Sequence, residues 1–444
     1  MNTHARVWRI AGPMILSNIT VPLLGAVDTA VVGRLPDPAN IGAVAVGALI
    51  FNFIYWGFGF LRMGTGGLVA QAFGAGDSDA VRDWLGRALL LAAALAGAVL
   101  VLQWPLREIA FHLMTAGPEV ERLGRLYFDV RVWSAPATLV NYVVLGWLLA
   151  TQRAKSAFLL QILIHGMNIG LDILFVIALG WGVAGVAAAT VIAEYGGALA
   201  GLAVIALRLR RVGGRWHRER LLDRAKLAAM LRINRDIFIR TICLIAAFAY
   251  FTAAGARLGD VMLAANAILL NLQSIMAYGV DGFAYAAEVL VGAAVGARDR
   301  HALRAAVRVS TLWAAGLAVA IGAVYLILGT VVVDLFTTIP QVRLEAYRYL
   351  PWIAVSPLLS IWSFQLDGIF IGATRTAELR NGMILALAVY LAGALVFVPW
   401  LGNHGLWLAF LIWMTARSLP LALWYPRILR SVSLRAVADT GGRS

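Results

Sequence analysis

The chain has 444 residues, of which 61% are hydrophobic and only 14% charged. No single soluble core can bury that much apolar side chain, so the composition excludes a water-soluble globular or disordered protein and fits an integral membrane protein. The net charge of +14 does not indicate a nucleic-acid partner, because the basic residues are spread over short loops and a tail, where membrane topology and anionic lipid account for them.

Apolar stretches of about 20 residues or more, enough to cross a hydrocarbon core of ~30 Å as helices, recur about twelve times. In chain order they cover 10–33, 42–73, 84–106, 128–151, 156–180, 183–207, 236–256, 261–297, 306–333, 346–372, 380–401 and 404–424. The second and eighth are overlong for one crossing and are expected to tilt or protrude. Met1 to Arg9 leads into the first stretch without a small-residue cleavage site, so the first span is expected to direct insertion itself.

Intramembrane carboxylates are costly, about 2.5–3.5 kcal/mol at the bilayer centre on the mildest scale, and are therefore functional candidates. The first span carries Asp28 downstream of Pro13, Asn18 and Pro22. Proline removes a backbone donor and permits bending, so an acid on a bendable helix reads as a conformational switch. The structural alternative is an Asp28 solvated near the outer interface or paired with Arg62 of the second span. In the fifth span Asn168 and Asp172 stand four apart, hence on one helix face. Thr190 follows on the sixth span, after a turn marked by Gly180, Gly182 and Gly185. Two carboxylates, an amide and a hydroxyl make a hard oxygen site suited to a proton or Na⁺, or else a packing network. Glu194, beside Tyr195, reads as structural.

The stretch from Arg208 to about Asp236 is the one sizeable hydrophilic segment and reads as a linker. Beyond it, Asp281 and Glu288 lie two turns apart on one face of the eighth span, and Asp367 interrupts the tenth. These three acids suggest a second ion site or contacts to a cationic substrate, with Glu288 alternatively a structural partner for Arg417 of the twelfth span. The lone Cys243 cannot form an intramolecular disulfide, and no Cys or His cluster has metal-ligand spacing. The chain lacks a Gly-x-x-x-x-Gly-Lys-Ser/Thr phosphate loop and a Gly-x-Ser-x-Gly elbow, so neither an ATP motor nor a hydrolase is expected. Any transport must run on an ion gradient.

Lys and Arg fall mostly on one side: Arg6, Arg9, Arg82, Arg87, Arg153, Lys155, the cluster from Arg208 to Arg240, Arg298, Arg300, Arg304, Arg308, Arg375, Arg380 and a tail from Arg427. The other side has Arg34, Arg107, Arg122, Arg125, Arg131, Arg257, Arg343 and Arg348. The positive-inside rule therefore puts both termini and the linker in the cytoplasm. The two halves resemble each other at an offset of about 222 residues: Gly74-Ala-Gly-Asp77 recurs as Gly296-Ala-Arg-Asp299, and Gly146-Trp-Leu-Leu-Ala-Thr-Gln-Arg153 as Gly368-Ile-Phe-Ile-Gly-Ala-Thr-Arg375. Six spans per half make parallel repeats, so the expected fold is an all-α membrane protein of two six-helix bundles related by a pseudo-two-fold axis along the membrane normal. The expected division is an N-lobe over 1–207, a basic linker over 208–235, and a C-lobe with the tail over 236–444.

Six segments in register carry a family resemblance that covers essentially the whole chain. They are Val27-Asp28-Thr-Ala-Val-Val-Gly33, Phe60-Leu-Arg-Met-Gly-Thr-Gly-Gly-Leu-Val-Ala-Gln-Ala-Phe-Gly74, Gly146-Trp-Leu-Leu, Asn168-Ile-Gly-Leu-Asp172 with Ala188-Ala-Thr190-Val-Ile-Ala-Glu194-Tyr, Asp281-Gly-Phe-Ala-Tyr-Ala-Ala-Glu288, and Leu366-Asp367-Gly-Ile-Phe-Ile-Gly-Ala-Thr-Arg375. On these the chain resembles the MATE family (multidrug and toxic compound extrusion), in its DinF-type branch. The resemblance implies an antiporter, not an enzyme, in a bacterial inner membrane, exporting amphipathic, often cationic compounds for H⁺ or Na⁺ without a cofactor. It also implies an ion site at Asp28, Asn168, Asp172 and Thr190, bending of the first helix, a promiscuous cavity, and a monomer. The NorM-type branch adds a Glu in the seventh helix, and Thr241 to Ala256 holds no acid. A NorM-style second Na⁺ site is thus not expected, and H⁺ is preferred over Na⁺. The competing readings are a lipid-linked precursor flippase of the same superfamily, disfavoured by the intramembrane acids, and a membrane receptor or enzyme. A major-facilitator transporter is disfavoured because the Gly-x-x-x-Asp-Arg-x-Gly-Arg loop is absent.

Overall fold

The structure is a computed structural model that describes residues 2–35, 37–114 and 117–440. Among them there are helices and no strands: α1 (Thr3–Val32), α2 (Ala39–Gly57), α3 (Phe60–Gly74), α4 (Ser78–Val101), α5 (Gln103–Leu113), α6 (Pro118–Arg131), α7 (Ala135–Ala150) and α8 (Ala154–Asp172) in the first part. Then follow α9 (Gly182–Val212), the short α10 (Arg218–Leu221), α11 (Arg224–Arg257), α12 (Asp260–Gly296), α13 (Arg300–Phe336), α14 (Pro340–Gly372), α15 (Thr376–Leu401) and α16 (Asn403–Thr440). Twelve of the described segments are long and apolar enough to span a membrane, which makes this a multi-pass membrane protein. Arg443 lies outside the described residues, as do the side chains of Arg218 and Arg435.

Several spans depart from uninterrupted α-helix. The overlong second span is not one tilted rod: it breaks at Phe58 and Gly59 into α2 and α3. The fourth passes through a 3₁₀ turn at Val132–Ser134, and the fifth unwinds after Asp172 into a π-helical stretch, Ile173–Ala178. The eighth runs unbroken over 37 residues, and α14 runs unbroken through Asp367, so that acid does not interrupt its helix. α1 likewise stays helical through Pro13 and Pro22.

The chain divides into two compact units. One comprises Leu16–Phe73 and Asp77–Leu231; the other comprises Met1–Ile15, Gly74–Gly76 and Arg232–Ser444. The expectation placed residues 1–207 together, whereas the start of α1 groups with the second half of the chain. There Trp8 lies edge-on to Phe283 (5.3 Å) and Trp313 (5.2 Å), and Gly282 leaves room for Ile15 (2.4 Å from a built Cβ).

The internal repeat is legible in backbone detail. Gly76 (φ +71°) and Arg298 (φ +55°) occupy the same turn, and Asp77 and Asp299 each cap the following helix by accepting from the backbone N–H of Ala80 (2.9 Å) and Ala302 (2.8 Å). A Cβ built on Gly146 would lie 2.5 Å from the Arg62 carbonyl, and one on Gly368 would lie 2.3 Å from the Ala284 carbonyl. In membranes, where apolar surface gains nothing from leaving lipid, such small residues let helices pack closely. Gly368→Val is therefore expected to destabilise the second unit by about 1–3 kcal/mol through overpacking, read as a lower thermal midpoint of the detergent-solubilised protein.

The linker is clasped to α4. Arg82 donates from Nε to the Gly213 carbonyl (2.7 Å) and also bonds the Leu209 carbonyl. Arg87 bonds the carbonyls of Arg220 and Leu221, and Asp79 accepts from the Arg215 backbone N–H (2.9 Å) and the Arg220 guanidinium (3.3 Å). The irregular backbone 213–217 thus finds partners that its own sequence does not supply. Asp79→Ala is expected to speed tryptic cleavage after Arg215 and Arg220 several-fold relative to wild type.

Candidate functional site

The first unit gathers the polar residues singled out in its sequence. Asn168 and Asp172 are fully buried, one turn apart at the end of α8. In the amide orientation that satisfies both neighbours, Asn168 Nδ2 donates to Asp172 Oδ2 (3.0 Å) and Oδ1 accepts from the Thr190 backbone N–H (3.3 Å). The Thr190 hydroxyl, 3.1 Å from the amide, donates to the Val186 carbonyl (3.0 Å). The side chains of Asp28 and Asp172 lie within hydrogen-bonding reach of each other. Helix α8 gives way to the π-helical stretch immediately after Asp172, a local feature frequent at functional sites.

The surroundings hold residues that the sequence did not reveal. Arg131, counted above as an outer-side charge, is buried at the end of α6. Its guanidinium bonds the Ser134 hydroxyl and packs over the rings of Phe51 (5.5 Å) and Tyr55 (5.4 Å). It is a cation whose charge acts on Asp28. The Ser134 and Tyr55 hydroxyls are 2.9 Å apart. Glu194 accepts from the Asn141 amide (2.7 Å). Arg62 is buried in α3 with its carbonyl against Gly146.

The second unit differs. Asp367 Oδ2 accepts from Arg417 (2.9 Å) and also pairs with Arg240. Asp367, one of the three second-half acids singled out from the sequence, is thus a carboxylate that Arg417 bonds. Arg240, counted above with the loop cluster, instead points inward. Arg417 also packs over Trp413 (5.2 Å). Asp281 is half-buried and Glu288 fully buried along α12. At the repeat offset from Asp28, Asn168, Asp172 and Thr190 stand Tyr250, Tyr390, Ala394 and Ile412, and the two tyrosine rings meet edge-on at 5.7 Å. Among the described residues no group of three or more His, Cys, Asp or Glu side chains is arranged to hold a metal ion.

The profile of the MatE family matches residues 13–174 and again 237–399, once in each half. The chain belongs to the MatE family. This MatE protein is 42% identical over 431 residues to DNA damage-inducible protein F of Escherichia coli, covering 96% of this chain and 92% of that one. It is 26% identical over 462 residues to the probable multidrug resistance protein NorM of Chromobacterium violaceum, covering 96% and 95%. Among solved structures, a MATE protein crystallised in the bent conformation superimposes with a TM-score of 0.88 at 21% identity, with 98% of both chains covered. The MatE protein thus has the family and fold of MATE efflux transporters, whose members are transporters and not enzymes.

Proposed function

We propose that this MatE protein is a secondary active antiporter that exports amphipathic, often cationic small molecules in exchange for H⁺, or alternatively Na⁺, by alternating access. The observation that carries the reading is the contact between two acids, Asp28 and Asp172, braced by Asn168 and Thr190. Two carboxyl groups in contact are stable together only when a proton or a cation lies between them, so loading and unloading that ion changes what α1 and α8 can hold to. Relatives such as the probable multidrug resistance protein NorM support the substrate class.

Coupling belongs to the first unit on this reading, because Asp367 is already neutralised by two guanidiniums. Asp281 and Glu288 are the C-lobe residues assigned to substrate contact on this reading. No cofactor beyond the coupling ion is proposed. The protein is placed as a monomer in a bacterial inner membrane, with both termini cytoplasmic by the distribution of Lys and Arg and with no nucleic-acid partner.

The test is efflux of a cationic dye from proteoliposomes under an imposed pH gradient or an imposed Na⁺ gradient, with wild type and Asp28→Asn side by side. Flux driven by one gradient and lost in the variant supports the antiporter and names its ion. Dye binding without flux under either gradient would favour the receptor reading instead.

A further inference from the structure

Two apolar grooves flank α14 in the second unit, and they differ in one respect. The groove between α14, α15 and α16, about 580 Å³, is lined without a single charged side chain and with Thr415 as its only polar residue. The groove between α13, α14 and α16, about 550 Å³, has an otherwise apolar wall carrying Arg308, Thr311, Gln365 and Tyr425. It is open to the side, for Trp362 and Leu312 at its edges are 51% and 60% exposed.

Arg304 and Arg308 stand one turn apart on the same face of α13, and Arg304 is close enough to act electrostatically on Tyr425 across the groove. Helix α13 has 37 residues, roughly 55 Å, so its ends project beyond a hydrocarbon core of about 30 Å. Both arginines lie in its first three turns and therefore reach the headgroup zone. Inside the groove, Gln365 is 1% exposed and neither its Nε2 nor its Oε1 has a protein partner. A buried amide in that state is a donor and an acceptor waiting for a polar group.

We propose that this groove binds an anionic phospholipid. Its phosphate is held by Arg304 and Arg308 with the Tyr425 hydroxyl, its ester carbonyls accept from Gln365 Nε2, and one acyl chain lies along Ala315 and Leu312. Basic pockets between helices select anionic headgroups in this way. The uncharged groove takes any acyl chain without headgroup preference and serves as an internal control. This inference does not depend on the transport reading.

The experiment is native mass spectrometry of the delipidated full-length protein with equal concentrations of dipalmitoyl phosphatidylglycerol and dipalmitoyl phosphatidylcholine. The expected result is a preference for phosphatidylglycerol of at least roughly tenfold, abolished in Arg304→Gln/Arg308→Gln. Ala315→Trp, which fills the groove, is expected to remove the tightly held phosphatidylglycerol, whereas Ala416→Trp in the uncharged groove leaves it in place. Thermal midpoints matching wild type confirm that the variants are folded. Equal binding of the two lipids by wild type, a preference that survives the double variant or Ala315→Trp, or an equal loss in Ala416→Trp would overturn the proposal.

Discussion

Asp172→Asn is expected to reduce gradient-driven dye efflux to the rate of liposomes without protein while leaving the fold intact. The reason lies in what the substitution keeps and what it removes. An asparagine of nearly the same shape still meets Asn168 at the end of α8, where Asp172 Oδ2 lies 3.0 Å from the amide nitrogen, so packing is preserved. What disappears is the buried member of an acid pair whose other member, Asp28, is half-buried, and with it the means of exchanging a proton or a cation. Removing one of two like charges from a buried site does not destabilise it, so the thermal midpoint should stay at or above the wild-type value. Flux assays and thermal unfolding on the same preparation check both halves of the statement. Efflux near the wild-type rate in Asp172→Asn would sink the coupling role of the first-unit site.

Asp367→Asn is expected to do the reverse, costing stability before anything else. Its carboxylate accepts from Arg417 and pairs with Arg240, and the three side chains are 9%, 3% and 8% exposed. Removing one partner of a buried ion pair leaves uncompensated charge in a low-dielectric setting and costs about 3–5 kcal/mol. That is a large share of the roughly 5–15 kcal/mol by which folded proteins are stable. Asparagine keeps the volume, so the loss is one of charge and not of packing. Arg240→Gln should be milder, because Arg417 at 2.9 Å remains on the carboxylate. Adding Arg417→Gln to Asp367→Asn should restore part of the lost midpoint by removing one of the stranded cations. Thermal unfolding of the four proteins decides this, and an unchanged midpoint in Asp367→Asn contradicts it.

The twelve spans and the acids within them were legible in the sequence because a hydrocarbon solvent makes long apolar runs obligatory and polar exceptions conspicuous. Asn168 and Asp172 needed only the helical period to be put on one face. Arg131 and Arg240 were misread for a single reason: each stands at the edge of an apolar stretch, where an arginine either snorkels to the interface or turns inward. Only the position of a partner decides which, and the Phe51 and Tyr55 rings around Arg131 and the Asp367 carboxylate at Arg240 are supplied by tertiary structure. The break at Phe58 and Gly59 and the π-helical stretch after Asp172 carry no composition cue strong enough to distinguish them from continuous helix. The grouping of Met1–Ile15 with the second half is set by the packing of Trp8 and Ile15 on distant helices, to which local pattern is blind.

The turn that carries Gly76 in one half carries Arg298 in the other, at nearly the same positive φ, a region that glycine enters freely and other residues enter at a cost. A duplicated chain therefore holds its own comparison set: wherever the two backbones agree, each residue is a substitution already tolerated by a sister scaffold. Asp28 against Tyr250 and Asn168 against Tyr390 show the other side of that comparison: the acid and the amide of one half have aromatic side chains as their counterparts in the other.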